Sequence, residues 1–182
     1  IAIDKGLFAK YGLTVEIPNV PSSQMLAGYL AGTFKFGAIG GYNPPNILAA
    51  GSKVEYYGNN YAYHLYDFVV NKSITSMKDL EGKVVAITGL GGAPHGAALS
   101  IFPPQTLTAA KDPNLKTLIK MSPLKIPFPT VIIMGDPDWV KQYENTAKAY
   151  LRGFMEGVAV LLADKATAQE VLVKRMNLDA KD

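Results

Sequence analysis

The chain has 182 residues, of which 48% are hydrophobic and 18% charged, with a formal net charge of +3 and no cysteine. This is the composition of a folded globular protein, long enough for one large domain or two small lobes. The missing cysteine excludes disulfides, thiolate catalysis and cysteine-based metal sites. Singly scattered lysines and a small net charge argue against a nucleic-acid partner.

From Ile1 to Lys10 the pattern reads as the end of a helix, with Ile3, Leu7 and Phe8 on one face and Gly12 as its stop. Leu13 to Val20 reads as a strand. Ser22 and Ser23 suit the N-cap of a helix carrying Met25, Leu26, Tyr29 and Leu30, which Gly32 closes. Phe34 to Ile39 is the next strand, ending in Gly40 and Gly41. Asn43, Pro44 and Pro45 open a short helix that runs to Ala50, with Gly51 behind it.

Val54 to Tyr57 and Tyr66 to Asn71 read as strands around a polar and aromatic loop, Gly58 to Leu65. Ser76 to Leu80 is a short helix. Val84 to Thr88 is an apolar strand of the kind buried on both faces, and a turn from Gly89 to Gly92 leads from it into a helix through Leu99. Strands alternating with helices predict parallel βαβ units, with ligands beyond the carboxyl ends of the strands.

Further along, Leu118 to Met121 and Val131 to Met134 are strand candidates, and Asp136 with Pro137 caps a helical region near Trp139. Apolar residues from Ala147 to Leu162 recur at three- and four-residue spacing, and a last helix holds Val171, Leu172 and Met176. The longest apolar run, Val158 to Ala163, falls far short of the roughly 20 residues of a membrane span. No charged-then-apolar leader precedes Ile1, which fits a cytosolic protein or a trimmed mature chain.

Several segments carry a family likeness. Gly6-Leu7-Phe8 followed by Tyr11-Gly12-Leu13-Thr14-Val15-Glu16 resembles the opening signature of the nitrate, sulfonate and taurine (NMT1/THI5-like) group of ABC solute-binding proteins. Leu30 to Gly37 is similar to that group's helix end and next strand, with Lys35 where an aspartate is usual. Ile74 to Ala86 resembles its most distinctive segment, and Trp139 to Ala163 its C-terminal helical region.

The resemblance implies a two-lobed, periplasmic-binding-protein-like (type II) α/β fold with open, mainly parallel sheets. Lobe 1 would comprise residues 1–67 and the return segment 126–182, and an incomplete lobe 2 residues 68–125. It also implies a first strand before Ile1, and a segment of roughly 30 residues or more between Ser100 and Ile101, that this chain lacks.

The candidate ligand-binding residues fall in four places. Ser22, Ser23 and Gln24 offer hydroxyl, amide and backbone donors at a helix start, where capping is the alternative role. Gly40, Gly41 and Tyr42 follow a strand, and Tyr42 could stack on a planar solute or simply pack on Pro44 or Pro45. Asn60 and Tyr61 belong to the aromatic loop, which could wall a cleft or pack locally. Gly91, Gly92, Ala93 and His95 form the glycine turn, able to cradle an anionic group or to serve only as a tight turn. It is a poor dinucleotide fingerprint, because Pro94 occupies the third glycine position.

His64 and His95 lie apart with no carboxylate cluster, so no metal site, cofactor or nucleophile-base pair is indicated. The expected function is extracytoplasmic capture of a small organic or inorganic anion (sulfonate-, nitrate- or carboxylate-like) or a heterocyclic solute, delivered to an ABC importer permease by a monomeric, periplasmic, secreted or lipid-anchored protein. The alternatives are an enzyme on the same scaffold, thiamine-pyrimidine synthase-like or menaquinone-pathway-like, and a truncated remnant without ligand affinity. The pyrimidine synthases carry a cysteine-rich motif that this chain lacks.

Overall fold

A computed structural model describes residues 1–17, 20, 22–84, 86, 112–120 and 122–176, with the backbone alone at Ser22 and Ser23. The chain forms two compact units, one built from residues 1–19 and 138–182, the other from 20–137.

In the first unit, residues 1–6 form turns, and Gly6, in the left-handed region at φ 67°, lets the chain enter the short helix α1 (Leu7–Lys10). The helical reading of Ile1 to Lys10 is therefore met only in its last turn. The core of this unit is the 20-residue helix that the apolar spacing predicts, running from Glu144 to Ala163. Gly153 and Gly157 lie on its buried face, four residues apart, where the bare backbone admits the N-terminal segment. A Cβ on Gly153 would stand 2.6 Å from Phe8 Cδ1, and one on Gly157 2.8 Å from the Ala2 Cβ. Phe8 stacks on Tyr150 with ring centroids 5.3 Å apart. Arg175, near the end of the helix Lys165–Met176, grips Asp4 in a fork, with Nε 3.0 Å from Oδ2 and Nη2 3.0 Å from Oδ1.

The second unit opens with α2 (Ser22–Leu30), which Gly32 ends at φ 78°, followed by β1 (Phe36–Gly40). Next come α3 (Asn43–Ala49), with prolines in its first turn and Gly51 behind it at φ 77°, and β2 (Glu55–Asn59). After β3 (Asp67–Asn71) a 3-10 turn at Met77–Leu80 carries a capping box formed by Ser76 and Asp79. β4 (Leu115–Lys120) and β5 (Val131–Gly135) complete the strands among the described residues, and α4 (Pro137–Gln142), at the boundary, precedes the long helix α5 and the last helix α6 (Lys165–Met176).

β5 lies between β1 and β2 and is antiparallel to both, and β3 pairs with β4, again antiparallel. The parallel relation expected from alternating strands and helices survives only indirectly. β1, α3 and β2 do form a βαβ unit whose strands run the same way, but a return strand from far along the chain is inserted between them and supplies the hydrogen bonds. Ile132, Ile133, Met134 and Gly135 of β5 are all buried, as a central strand covered on both faces requires. Tyr29, Ile39, Ile47, Ile132 and Met134 make the core, with Met25, Leu26, Phe34 and Val54 packed against it.

The described residues of two expected strands, Leu13 to Val20 and Val84 to Thr88, are not in strands. Residues 13–17 are not in a strand, because no described strand runs alongside them to form a ladder. Val84 is fully exposed and Ala86 is exposed, and neither is in a strand, so apolar composition there does not amount to burial. The remainder of that segment, the glycine turn, the helix through Leu99 and the Ser100–Ile101 junction lie outside the described residues.

Candidate functional site

The loops after β1 and β2 meet at one place, the start of β5. Gly40 pairs with Val131, and the Gly41 amide donates to Thr130 O at 3.2 Å. From the other side, the Asn60 amide donates to Val131 O at 2.9 Å, and the Thr130 amide to Tyr61 O at 3.3 Å. Candidate residues Gly40 and Gly41 on one side and Asn60 and Tyr61 on the other therefore bond to the same pair, Thr130 and Val131, where the chain enters β5, although about 20 positions separate them in the chain. Thr130 is not among the candidates that the sequence offers, which marks only a strand from Val131.

Glycine is required at Gly41 because of a close approach: a Cβ there would fall on the Pro129 carbonyl oxygen. One on Gly40 would run into the Tyr42 ring. Tyr42 precedes α3, and its carbonyl accepts from Asn46 Nδ2 at 3.3 Å. Asn43, 1% exposed, turns its Nδ2 back to Gly40 O at 3.1 Å, so the strand-to-helix turn is held by side-chain bonds of its own. Tyr61 is 42% exposed, and its amide donates to Asn59 Oδ1 at 3.2 Å.

Ser22 and Ser23 are the first two residues of α2, and Gln24 is exposed. The far end of that helix is tied to the start of β2 by the Tyr29 hydroxyl, which donates to Lys53 O at 2.8 Å. Gly91, Gly92, Ala93 and His95 lie outside the described residues.

Beyond Asn60 the chain runs beside the segment that leads into β5. The His64 amide donates to Ile126 O at 3.0 Å, the Phe128 amide to Ala62 O at 2.9 Å, and Thr130 Oγ1 to Tyr63 O at 3.0 Å. Pro127 and Pro129 alternate with these donors, so the positions without an N–H are those that need none across the ribbon. That alternation of proline with residues that pair, Ile126-Pro127-Phe128-Pro129-Thr130, is the signal by which the second half of the site could have been found.

The interior of this junction is aromatic and carries no ion pair among the described residues. Phe128 stacks on His64, with centroids 4.1 Å apart, and Tyr66, 4% exposed, lies 5.5 Å from the same imidazole. Burial, with a smaller contribution from Tyr42, pushes the Tyr66 phenol up to about 12. Both arginines are elsewhere, in α5 and α6, as the sequence indicated. Among the described residues no group of three acidic or histidine side chains could hold a metal ion.

The fold matches that of solved periplasmic substrate-binding proteins. The aliphatic sulphonate binding protein SsuA of Escherichia coli superimposes with a TM-score of 0.74 at 19% identity, over 98% of this chain and 74% of that one. The alkanesulfonate-binding protein SsuA of Xanthomonas axonopodis pv. citri, bound to MOPS, gives a TM-score of 0.74 at 16% identity, over 99% of this chain and 75% of that one. The NMT1/THI5 like family model matches residues 1–102, more than half of the sequence, and the chain belongs to that family. No curated protein matches it.

Proposed function

We propose that the chain captures a small solute outside the cytoplasm and hands it to an ABC importer, acting by binding and not by catalysis. The supporting observation is the convergence of the loops after β1 and β2 on Thr130, at the carboxyl ends of two strands that run the same way, where ligands of open α/β sheets bind. Aromatic rings and the backbone amides at the start of α2 would do the recognising, since the Gly41, Asn60 and Tyr61 amides already donate within the protein and no arginine lies in the four candidate segments. The solute is then a small anion of the sulfonate, nitrate or carboxylate kind, or a heterocycle that stacks on Tyr42 or Tyr61. The neighbours' alkanesulfonates favour the first class.

In this reading the lobes divide near residues 67 and 125, and the paired segments 60–66 and 126–130 are the double crossing between them. A thermal-melt screen against small sulfonates, carboxylates, nitrate and heterocyclic vitamin precursors tests the proposal. A cooperative transition raised by one class is the expected result, because a ligand that binds only the folded state stabilises it. A transition that none of them moves overturns it.

A further inference from the structure

The double crossing contains one polar group that nothing in the ribbon satisfies. His64 is only 8% exposed, is stacked on Phe128 at an interplanar angle of 11°, and its Nδ1 has no hydrogen-bond partner among the described residues. Buried polar atoms are nearly always paired, and an orphan in a native fold calls for an explanation.

We propose that His64 is a proton-operated latch on the crossing: the neutral imidazole holds segments 60–66 and 126–130 together, and protonation releases them. A neutral ring can leave Nδ1 as an unused acceptor, whereas the imidazolium must donate from both nitrogens. In the closed ribbon that second N–H would be buried without an acceptor, so the charged form favours a conformation in which the ring reaches water.

The groups facing the imidazole do not offset this. On its own segment lies Tyr66, whose phenol stays neutral far above pH 8 and on which Tyr42 acts from the turn before α3. Across the ribbon are Phe128, which stacks on it, and Ile126, which bonds its amide. Lys125, beside Ile126, is exposed. Burial holds the His64 imidazole below its ordinary value of 6.5. The cation–π attraction of Phe128 acts in the opposite direction, but it supplies no acceptor for Nδ1.

The sign follows from linkage. With its native pKa depressed, the stabilising effect of neutral His64 is complete above pH 6.5 and is lost as pH falls from there toward the native value. Over that window the opening equilibrium should shift by up to ~10-fold per pH unit for one proton. The significance for uptake rests on the solute-capture reading, since a looser crossing would let the lobes part and discharge the solute on acidification.

The test needs no ligand, so a failed solute screen leaves it intact. Amide hydrogen exchange at pH 5 and pH 7.5, corrected for intrinsic rates, should show His64 and Phe128 amides losing protection at acid pH while those of Ile132 and Ile133 in β5 hold theirs. His64→Phe should abolish the difference. Because that variant could fail to fold, the His95→Gln chain, left with a single imidazole, is titrated by NMR in parallel. A His64 titration midpoint at or above 6.5, or ribbon protection that does not change with pH, overturns the latch.

Discussion

At the scale of single residues, glycines separate sharply by what surrounds them. Gly41→Ala must push Pro129 away or twist the β1 end, because the added methyl meets a backbone oxygen that cannot swing aside. The expected loss is about 1–3 kcal/mol in urea unfolding, as for other overpacked sites. Gly58 in β2 is the control: a Cβ there meets Ile133 at 3.6 Å, an ordinary contact, so Gly58→Ala should cost less than ~1 kcal/mol. Equal losses for the two would show that the approach of Pro129 to Gly41 does not matter. Asp4 offers a residue-scale pH effect. The Arg175 fork is the main cause holding its carboxyl below the usual range, so its contribution is present above about pH 4 and fades as acid protonates it. Melting curves between pH 2 and 5 should be less pH-dependent for Asp4→Asn than for the native chain; parallel curves would refute the coupling.

Elements differ in how far local signals determine them. The start of α3 was legible because Asn43 and two prolines are chemically suited to a first turn, and α5 because an apolar stripe from Ala147 to Leu162 runs along most of its 20 residues. Strand partnership was not legible: β5 is as apolar as a parallel central strand, and nothing in Val131–Gly135 specifies that it runs against both neighbours. For the same reason Leu13 to Val20 read as a strand, yet its described residues, 13–17 and 20, have no described strand partner. The candidate junction was legible on the β1 side, where glycines precede a helix, and illegible at Thr130, which depends on a contact about 90 residues distant from Gly41. In the first unit, α1 is a single turn and cannot stand alone, so its place depends on Phe8 sitting over Gly153 and Tyr150. Phe8→Ala should therefore cost about 3–5 kcal/mol. A loss below ~1 kcal/mol in denaturant titrations would mean that the N-terminal segment is held by its polar contacts instead.

For the whole molecule, the distribution of candidate residues between the two units gives a prediction about where a solute acts. Every candidate, from Ser22 to His95, lies within residues 20–137, whereas the single tryptophan, Trp139, belongs to the other unit. Trp139 fluorescence thus reports one unit, and NMR signals of Ile132, Tyr66 and Phe68 report the other. A ligand at 100 times its Kd stabilises whatever it binds by about 2.7 kcal/mol. With a stabilising sulfonate or carboxylate, the midpoint read at Ile132 and Phe68 should rise at least as much as the one read by Trp139. A rise seen by Trp139 alone would place the solute on the helical unit and displace the β1–β5–β2 junction as its site. The same experiment in 50 and 500 mM salt examines how the anion is held. Recognition by amides and aromatic rings, with no arginine in the loops, predicts a shift that changes little with salt. A steep fall would instead require a lysine near the solute, and Lys125, beside the segment 126–130 that leads into β5, would be the first to replace.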